Sequence, residues 1–248
     1  MTYCVGLKLD AGIVMMSDTR TNAGLDNISR FRKMFTWEDP GERVLCACCA
    51  GNLSITQGVL SRVNAAIAQS KTDDTVETIL NAPTLFRAAQ LFGDAMTEVQ
   101  QRHRQTLQAQ GAAADASILL AGQRKGGEMR LYLLYSAGNF IEATEDTPFL
   151  QIGEHKYGKP ILDRVIAPET PMQLALKAVF LSMDSTLRSN LSVGMPLDLA
   201  VMQADRIAFS VRRRIEAEDE DFAAISTGWA DAVRDAFDSL PEVDGEGL

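Results

Sequence analysis

The sequence predicts a mixed α and β fold built on antiparallel sheets, and three observations predict it. Strand-forming runs come in groups, and helical stretches lie between the groups instead of alternating with every strand. Neighbouring strand runs are joined by short turn sequences, Asp10-Ala11-Gly12 near the start and Gly126-Gly127 and Ala137-Gly138 in the middle. Such links are too short for the crossover that parallel strands need. The helical stretches each carry one apolar face, which must lie on something. Segregation of this kind suits two antiparallel sheets stacked between helical layers and disfavours a parallel βαβ arrangement.

Taken in order, Tyr3 to Leu9 and Ile13 to Ser17 are apolar runs on either side of the first turn, and read as a hairpin. With Asp10 and Ala11 as the turn, partners have numbers summing to about 20–22, which sets Thr2 opposite residues 18 to 20, where Asp18 lies. A polar loop follows, then Met34-Phe35 as a short third strand, a turn at 38–42, and a strand from Arg43 to Ala50 that stops at Gly51-Asn52. From Leu53 the period becomes helical, with Ile55, Val59 and Val63 on one face. Residues 71–81 read as a loop. Pro83 opens a longer helix to about Ala109, with Leu85, Ala89, Phe92, Met96 and Val99 along one side. His103 continues that stripe with no carboxylate at ligand spacing, and is read as structural.

After a small-residue linker at 110–114, a meander is predicted over 116–122, 129–135 and 139–143. Residues 159–166 suggest a short helix. Thr170-Pro171-Met172-Gln173 has the form of a capping box opening a helix to about Leu187. Two further strands are placed at 197–203 and 206–211. An acidic run at 216–221 leads into a last helix with Phe222, Ile225, Trp229, Val233, Phe237 and Leu240 on one face, then an acidic tail, 241–248. That stripe is expected to dock on the chain's own core; the alternative is that it covers a neighbouring subunit.

Composition narrows the function classes. With 248 residues, 46% hydrophobic and 23% charged, the chain has ample material for a core and is read as one domain over 1–248. Within it, about 2–212 form the core and about 213–248 the acidic run, last helix and tail. There is no apolar run of the ~18 residues that a membrane span needs and no secretory leader pattern, so a cytoplasmic protein is expected. The net charge of −9 disfavours nucleic acid or an anionic membrane as partner. Of four cysteines, Cys46, Cys48 and Cys49 sit in one strand-like run without metal-pair spacing. They are read as buried free thiols, with Cys49 near the strand end available to shape a pocket, and no metal or organic cofactor is implied.

Thr2 is the centre of the chemical reading. An initiator Met before a small residue is normally trimmed, which would leave Thr2 with a free α-amine beside its own hydroxyl. An α-amine titrates near ~7.7–8.0, so at neutral pH it can take the hydroxyl proton. Asp18 across the hairpin and Lys33 before the third strand supply a carboxylate and an ammonium that the topology can bring to the same place. The plain alternative is a structural ion pair beside a frayed terminus. Gly51, at a strand-to-helix junction, offers a backbone N–H and the positive end of a helix for an oxyanion, or serves only the bend.

Thr2, Asp18-Thr19-Arg20, Gly24 and Lys33 together resemble the β-subunits of proteasomes, which are threonine-type N-terminal-nucleophile hydrolases. The ancestral beta subunit (Anbu) family is resembled in particular. The residues that carry this are 17–24 (SDTRTNAG), 31–35 (FRKMF) and 153–160 (GEHKYGKP). The resemblance spans Thr2 to about Ser192 and implies a four-layer αββα sandwich. It implies a peptidase in which Thr2 is the nucleophile, Lys33 supplies positive potential, Asp18 holds Lys33, the Gly51 N–H receives the oxyanion and Ser192 supports the site. Arg20, Thr21, Asn22, Cys49 and Gly51 are the expected substrate contacts. The implied partners are a peptide or unfolded protein and further copies of the chain, in a ring or an open ring-like spiral. Departures from the pattern fall in the supporting residues: Glu154 follows Gly153 where a Ser is usual, Ser189 stands where an Asp is usual, and Lys33 is one residue nearer Thr2. Two rivals stay open, a hydrolase of the same fold acting on another amide, and a silent assembly subunit that keeps Met1.

Overall fold

The structure, a computed structural model, describes residues 1–22, 28–111 and 113–242. In chain order the strands are β1 (Tyr3–Leu9), β2 (Gly12–Asp18), β3 (Arg20–Asn22), β4 (Ile28–Arg30), β5 (Met34–Asp39), β6 (Arg43–Gly51), β7 (Ala116–Arg124), β8 (Arg130–Leu134), β9 (Phe140–Glu142), β10 (Phe149–Gly153), β11 (Leu197–Gln203) and β12 (Phe209–Ile215). The helices are α1 (Leu53–Gln69), α2 (Leu85–Ala109), α3 (Lys159–Val165), α4 (Met172–Ser189) and α5 (Glu220–Asp238).

One sheet runs β10-β1-β2-β11-β12, the other β5-β6-β7-β8-β9, and every pairing is antiparallel. The opening hairpin has the expected register, with Cys4 facing Ser17 and Leu9 facing Gly12. The two-residue period of each strand then sorts side chains into layers. Tyr3, Val5, Leu7 and Leu9 of β1 join α3 to α5 in one apolar core, whereas Cys4 faces the other sheet. Likewise Leu45, Ala47 and Cys49 of β6 pack under α1 and α2, while Val44, Cys46 and Cys48 face inward. Three separate cores, helix on sheet, sheet on sheet and sheet on helix, make this a four-layer αββα sandwich. Burying a side chain such as Ile13, Met15 or Phe92 completely contributes about 1.5–3 kcal/mol. All four cysteines are buried and free, as expected.

Several elements differ from expectation. β10 was not foreseen; it pairs Tyr3 with Gly153 and makes β1 a central strand instead of an edge. Its five residues follow a turn and carry no long periodic signal. The polar loop after β2 contains a short ladder, Arg20 to Arg30 and Thr21 to Ser29; Gly24 lies outside the described residues. The last strand begins at Phe209, not 206, because Asp205 and Ile207 take positive φ values of 62° and 48° in the turn before it. Thr170 does not cap α4: its hydroxyl accepts from the Ala167 N–H in the preceding turn, and Pro171 holds the cap position. The stripe on α5 does not dock on the core along its length. Phe222 is buried and Ile225 packs beside it, but Trp229, Val233, Phe237 and Leu240 are 37%, 45%, 73% and 64% exposed. Residues 243–248 of the acidic tail lie outside the described residues.

Candidate active site

Thr2 sits where the start of β1 meets the end of β10. It precedes β1, and its carbonyl accepts from the Glu154 N–H at 2.8 Å, just past β10. Gly153 makes this approach possible: its φ of +82° is left-handed, and a Cβ there would fall on the Thr2 carbonyl. Behind Thr2, the buried Tyr3 hydroxyl meets Ser182 Oγ at 2.6 Å and accepts from Gln151 Nε2. Burial pushes that phenol up to about 12. Gly158 has an ordinary φ and is fixed by space alone, since a Cβ there would collide with Ser182 Oγ. The motif at 153–158 is thus a brace for Thr2 and Tyr3 at the start of β1. In the sequence this brace is signalled only by two glycines five apart around an otherwise polar stretch.

Lys33 follows the short β3–β4 ladder and is only 4% exposed. Its ammonium donates to Asp18 Oδ1 at 2.7 Å, to the Arg20 carbonyl at 2.5 Å and to the Met1 carbonyl at 3.2 Å. The last of these oxygens belongs to the peptide unit that ends on the Thr2 nitrogen. Asp18 is fully buried and also accepts from the N–H groups of Tyr3 and Gly194. Burial pushes the Asp18 carboxyl above its ordinary value, opposed chiefly by the positive charge of Lys33. β2 supplies the carboxylate, which the hairpin register sets near Thr2, and the residue just before β5 supplies the cation that Asp18 holds there.

A cavity of about 300 Å³ opens directly on this group. Met1, Thr2, Thr21 and Lys33 line it together with Cys49, Gly51 and Asn52, with Phe35 of β5 and Ser54, Gln57 and Leu60 of α1 completing the wall. Gly51 ends β6 with φ +98°, and a Cβ there would strike the Asp115 carbonyl. Asn52 then caps α1, its side chain accepting from the N–H groups of Ser54 and Ile55. The positive end of α1 therefore borders the cavity. Burial pushes the Cys49 thiol far above its usual value, so it lines the wall as a neutral, apolar group.

Of the residues singled out from sequence, Thr2, Asp18, Lys33, Gly51, Thr21 and Cys49 come together here. Asn22 ends β3 next to them; its side chain lies outside what the structure describes. Arg20 does not line the cavity: its guanidinium packs over Gly194 and donates to the Leu191 carbonyl at 2.8 Å, and only its own carbonyl serves Lys33. The Ser192 hydroxyl donates to Asn190 Oδ1 and so closes its own turn; that loop reaches the site through the Gly194 N–H instead. Among the described residues no cluster of three or more His, Cys, Asp and Glu has metal-site geometry. No described helix is long and apolar enough to cross a membrane.

Comparison with protein-family models and with curated proteins gave no match. Solved structures do match. An Anbu Gly-1 mutant from Hyphomicrobium sp. strain MC1 is 47% identical with a TM-score of 0.90, covering 98% of this chain and all of that one. Anbu (ancestral beta-subunit) from Yersinia bercovieri is 41% identical with a TM-score of 0.90, over 98% of each chain. Anbu from Pseudomonas aeruginosa, solved as a helical assembly, is 42% identical with a TM-score of 0.91, covering 99% of this chain and 100% of that one.

Proposed function

This chain belongs to the Anbu, or ancestral beta-subunit, family of proteasome-like proteins, and on that premise we propose that it is a threonine peptidase acting through Thr2. The observation that carries the reading is the buried Lys33 ammonium, shared between Asp18 and the carbonyl that precedes the Thr2 nitrogen, at the mouth of a peptide-sized cavity.

Once Met1 is removed, the Thr2 amine takes the proton of its own hydroxyl, directly or through a water, as Oγ attacks the substrate carbonyl. Lys33 lowers the cost of the developing alkoxide, Asp18 fixes Lys33, and the Gly51 N–H at the α1 terminus receives the oxyanion. Collapse forms an ester between Thr2 Oγ and the acyl half of the substrate; the departing amine leaves with the proton, and water then cleaves the ester. An extended peptide pairs through its main chain between β3 and the end of β6, and its side chain enters the cavity beside Phe35 and Gln57. Copies of the chain associate, as the Pseudomonas aeruginosa relative does in its helical assembly.

Two measurements test this. The intact mass of protein purified from cells is expected to lack Met1. A peptide epoxyketone, which joins both the hydroxyl and the amine, is expected to label Thr2 and to fail with Thr2→Ala. Retention of Met1 together with no labelling of the wild type overturns the peptidase reading and leaves an assembly subunit.

A further inference from the structure

Along one open side of the sandwich, β12, the last strand of one sheet, lies across from β5, the first strand of the other. A cleft of about 380 Å³ opens there. The two-residue period decides which side chains enter it. In β11, Leu197, Leu199 and Val201 pack under the helices while Ala200 and Met202 face the other sheet, so Asp198 faces the other sheet too. Its partner across the ladder is Arg214, and that of Ala200 is Arg212, which places both arginines on the same side. Arg213, between them, turns away and is taken up by Asp219 and Asp221 at the start of α5. From the facing sheet come Arg32, Met34 and Thr36, every second residue, whereas Lys33 and Phe35 line the cavity at Thr2. Arg32 borders both.

The charges in this cleft do not balance. Asp198 accepts two hydrogen bonds from Arg214, at 2.8 and 3.0 Å, and those two charges cancel. Arg32 and Arg212 have no carboxylate or hydrogen-bond partner among the described residues; Arg212 only stacks on Phe209, 5.2 Å from its ring centre. Although the chain as a whole carries −9, two uncommitted guanidinium groups thus share one cleft, and their mutual repulsion is relieved by an anion between them. The Thr36 hydroxyl beside them is also uncommitted among the described residues. One strand further in, Ser17 is the cross-strand neighbour of Asp198, and its fully buried hydroxyl has no partner among the described residues, which is rare in a folded chain. Planar guanidinium forks with a nearby hydroxyl match the oxygens of a phosphate. Three arginines less one aspartate leave +2, equal and opposite to the charge of one hydrogen phosphate ion. We propose that the cleft between β5 and β12 is a binding site for a phosphate group, held by Arg32, Arg212 and Thr36 beside the Asp198–Arg214 pair. The site goes beyond the Thr2 chemistry and stands whether or not the chain is a peptidase.

Isothermal titration calorimetry on the full-length protein at constant ionic strength tests this, with orthophosphate, inorganic triphosphate and ATP as probes and chloride as the control anion. The wild type is expected to bind phosphate saturably at one site per chain, and Arg212→Gln and Arg32→Gln each to weaken binding at least about tenfold, the loss of one charge-assisted hydrogen bond. Arg102→Gln, which removes the same charge from α2, is expected to change the affinity less than about twofold. Tighter binding of ATP than of inorganic triphosphate assigns the site to a nucleotide; equal or weaker binding assigns it to the free ion. Arg212 is the deciding position, because it lines this cleft and not the cavity at Thr2, and circular dichroism checks that each variant folds. Heats no larger than those with chloride for all three probes overturn the proposal. So does a folded Arg212→Gln protein that binds phosphate like the wild type, which leaves the arginines as guards of the two sheet edges against strand addition. A loss in Arg102→Gln as large as in Arg212→Gln overturns it as well, since net charge alone then accounts for the binding.

Discussion

Asp18 and Lys33 form an ion pair almost wholly removed from water, with side chains 0% and 5% exposed. Moving charges out of water costs several kcal/mol per ion, so such a pair is not a device for stability. What it does is place a cation beside Thr2, the role that the proposed function gives it. Replacing both partners together, Asp18→Asn with Lys33→Met, is therefore expected to leave the denaturant midpoint unchanged or higher while abolishing labelling at Thr2. Removing Lys33 alone strands the carboxyl. Burial already raises the Asp18 pKa in the folded state, so its contribution to stability is present below the unfolded value of ~3.9 and lost as pH rises through the folded one. In Lys33→Ala that rise is larger, and its denaturant midpoint should fall with increasing pH across the mildly acidic to neutral range more steeply than the wild type's. A midpoint that rises there would show that another group governs the site. Gly153→Ala puts a side chain at positive φ against the Thr2 carbonyl, and is expected to cost about 1–3 kcal/mol or more in thermal unfolding and to impair Thr2 labelling.

Among the elements, β10 and α5 carry the most consequence beyond what periodicity showed. β10 converts β1 into an internal strand, and the residue just past its end, Glu154, braces Thr2, so a five-residue run does more for the site than the long helix α2. Short strands lack the repeats that make a pattern readable, and β10 exists because β1 offers it an edge. α5 has the opposite history: its stripe was plain in the sequence, but the surface meant to receive it is not on the same chain along its whole length. Its start is firm. Asp219 accepts from the Phe222 N–H at 3.0 Å, which holds its carboxyl below the usual range, and Arg213 pairs with it. Asp219→Ala is expected to cost roughly 1 kcal/mol, read from the unfolding midpoint. With a lowered folded pKa, this stabilisation is present above the unfolded value of ~3.9 and lost as pH falls through the folded one, so α5 should fray in acid.

At the scale of the whole molecule, the two facing sheets close a dry layer that contains Cys4, Cys46 and Cys48. These thiols are expected to stay unreactive toward a thiol reagent until the sandwich opens, so that their labelling rate with denaturant tracks global unfolding. Labelling of Cys46 in native buffer would show that the sheets separate locally. The same stacking brings β2, β5 and β6 to one end, where Thr2, Lys33 and Gly51 meet. Local pattern determined the hairpin and its register, which sets Asp18 near Thr2, the long helices, the meander and the buried thiols, because each depends on neighbours within a few residues or on a two-residue alternation; the reading of Lys33 as the third member of a site came from the family resemblance. Tertiary structure alone decided that Arg20 turns to Gly194, that Thr170 serves a turn, that residues 153–158 brace the Thr2 strand, and that the end of α5 finds no seat at home. Except for Thr170, whose hydroxyl serves the Ala167 N–H three residues back, each of those outcomes is a competition for a distant partner, between a guanidinium, a backbone group or an apolar face and whatever surface the packed layers present, and no stretch of sequence contains both contestants.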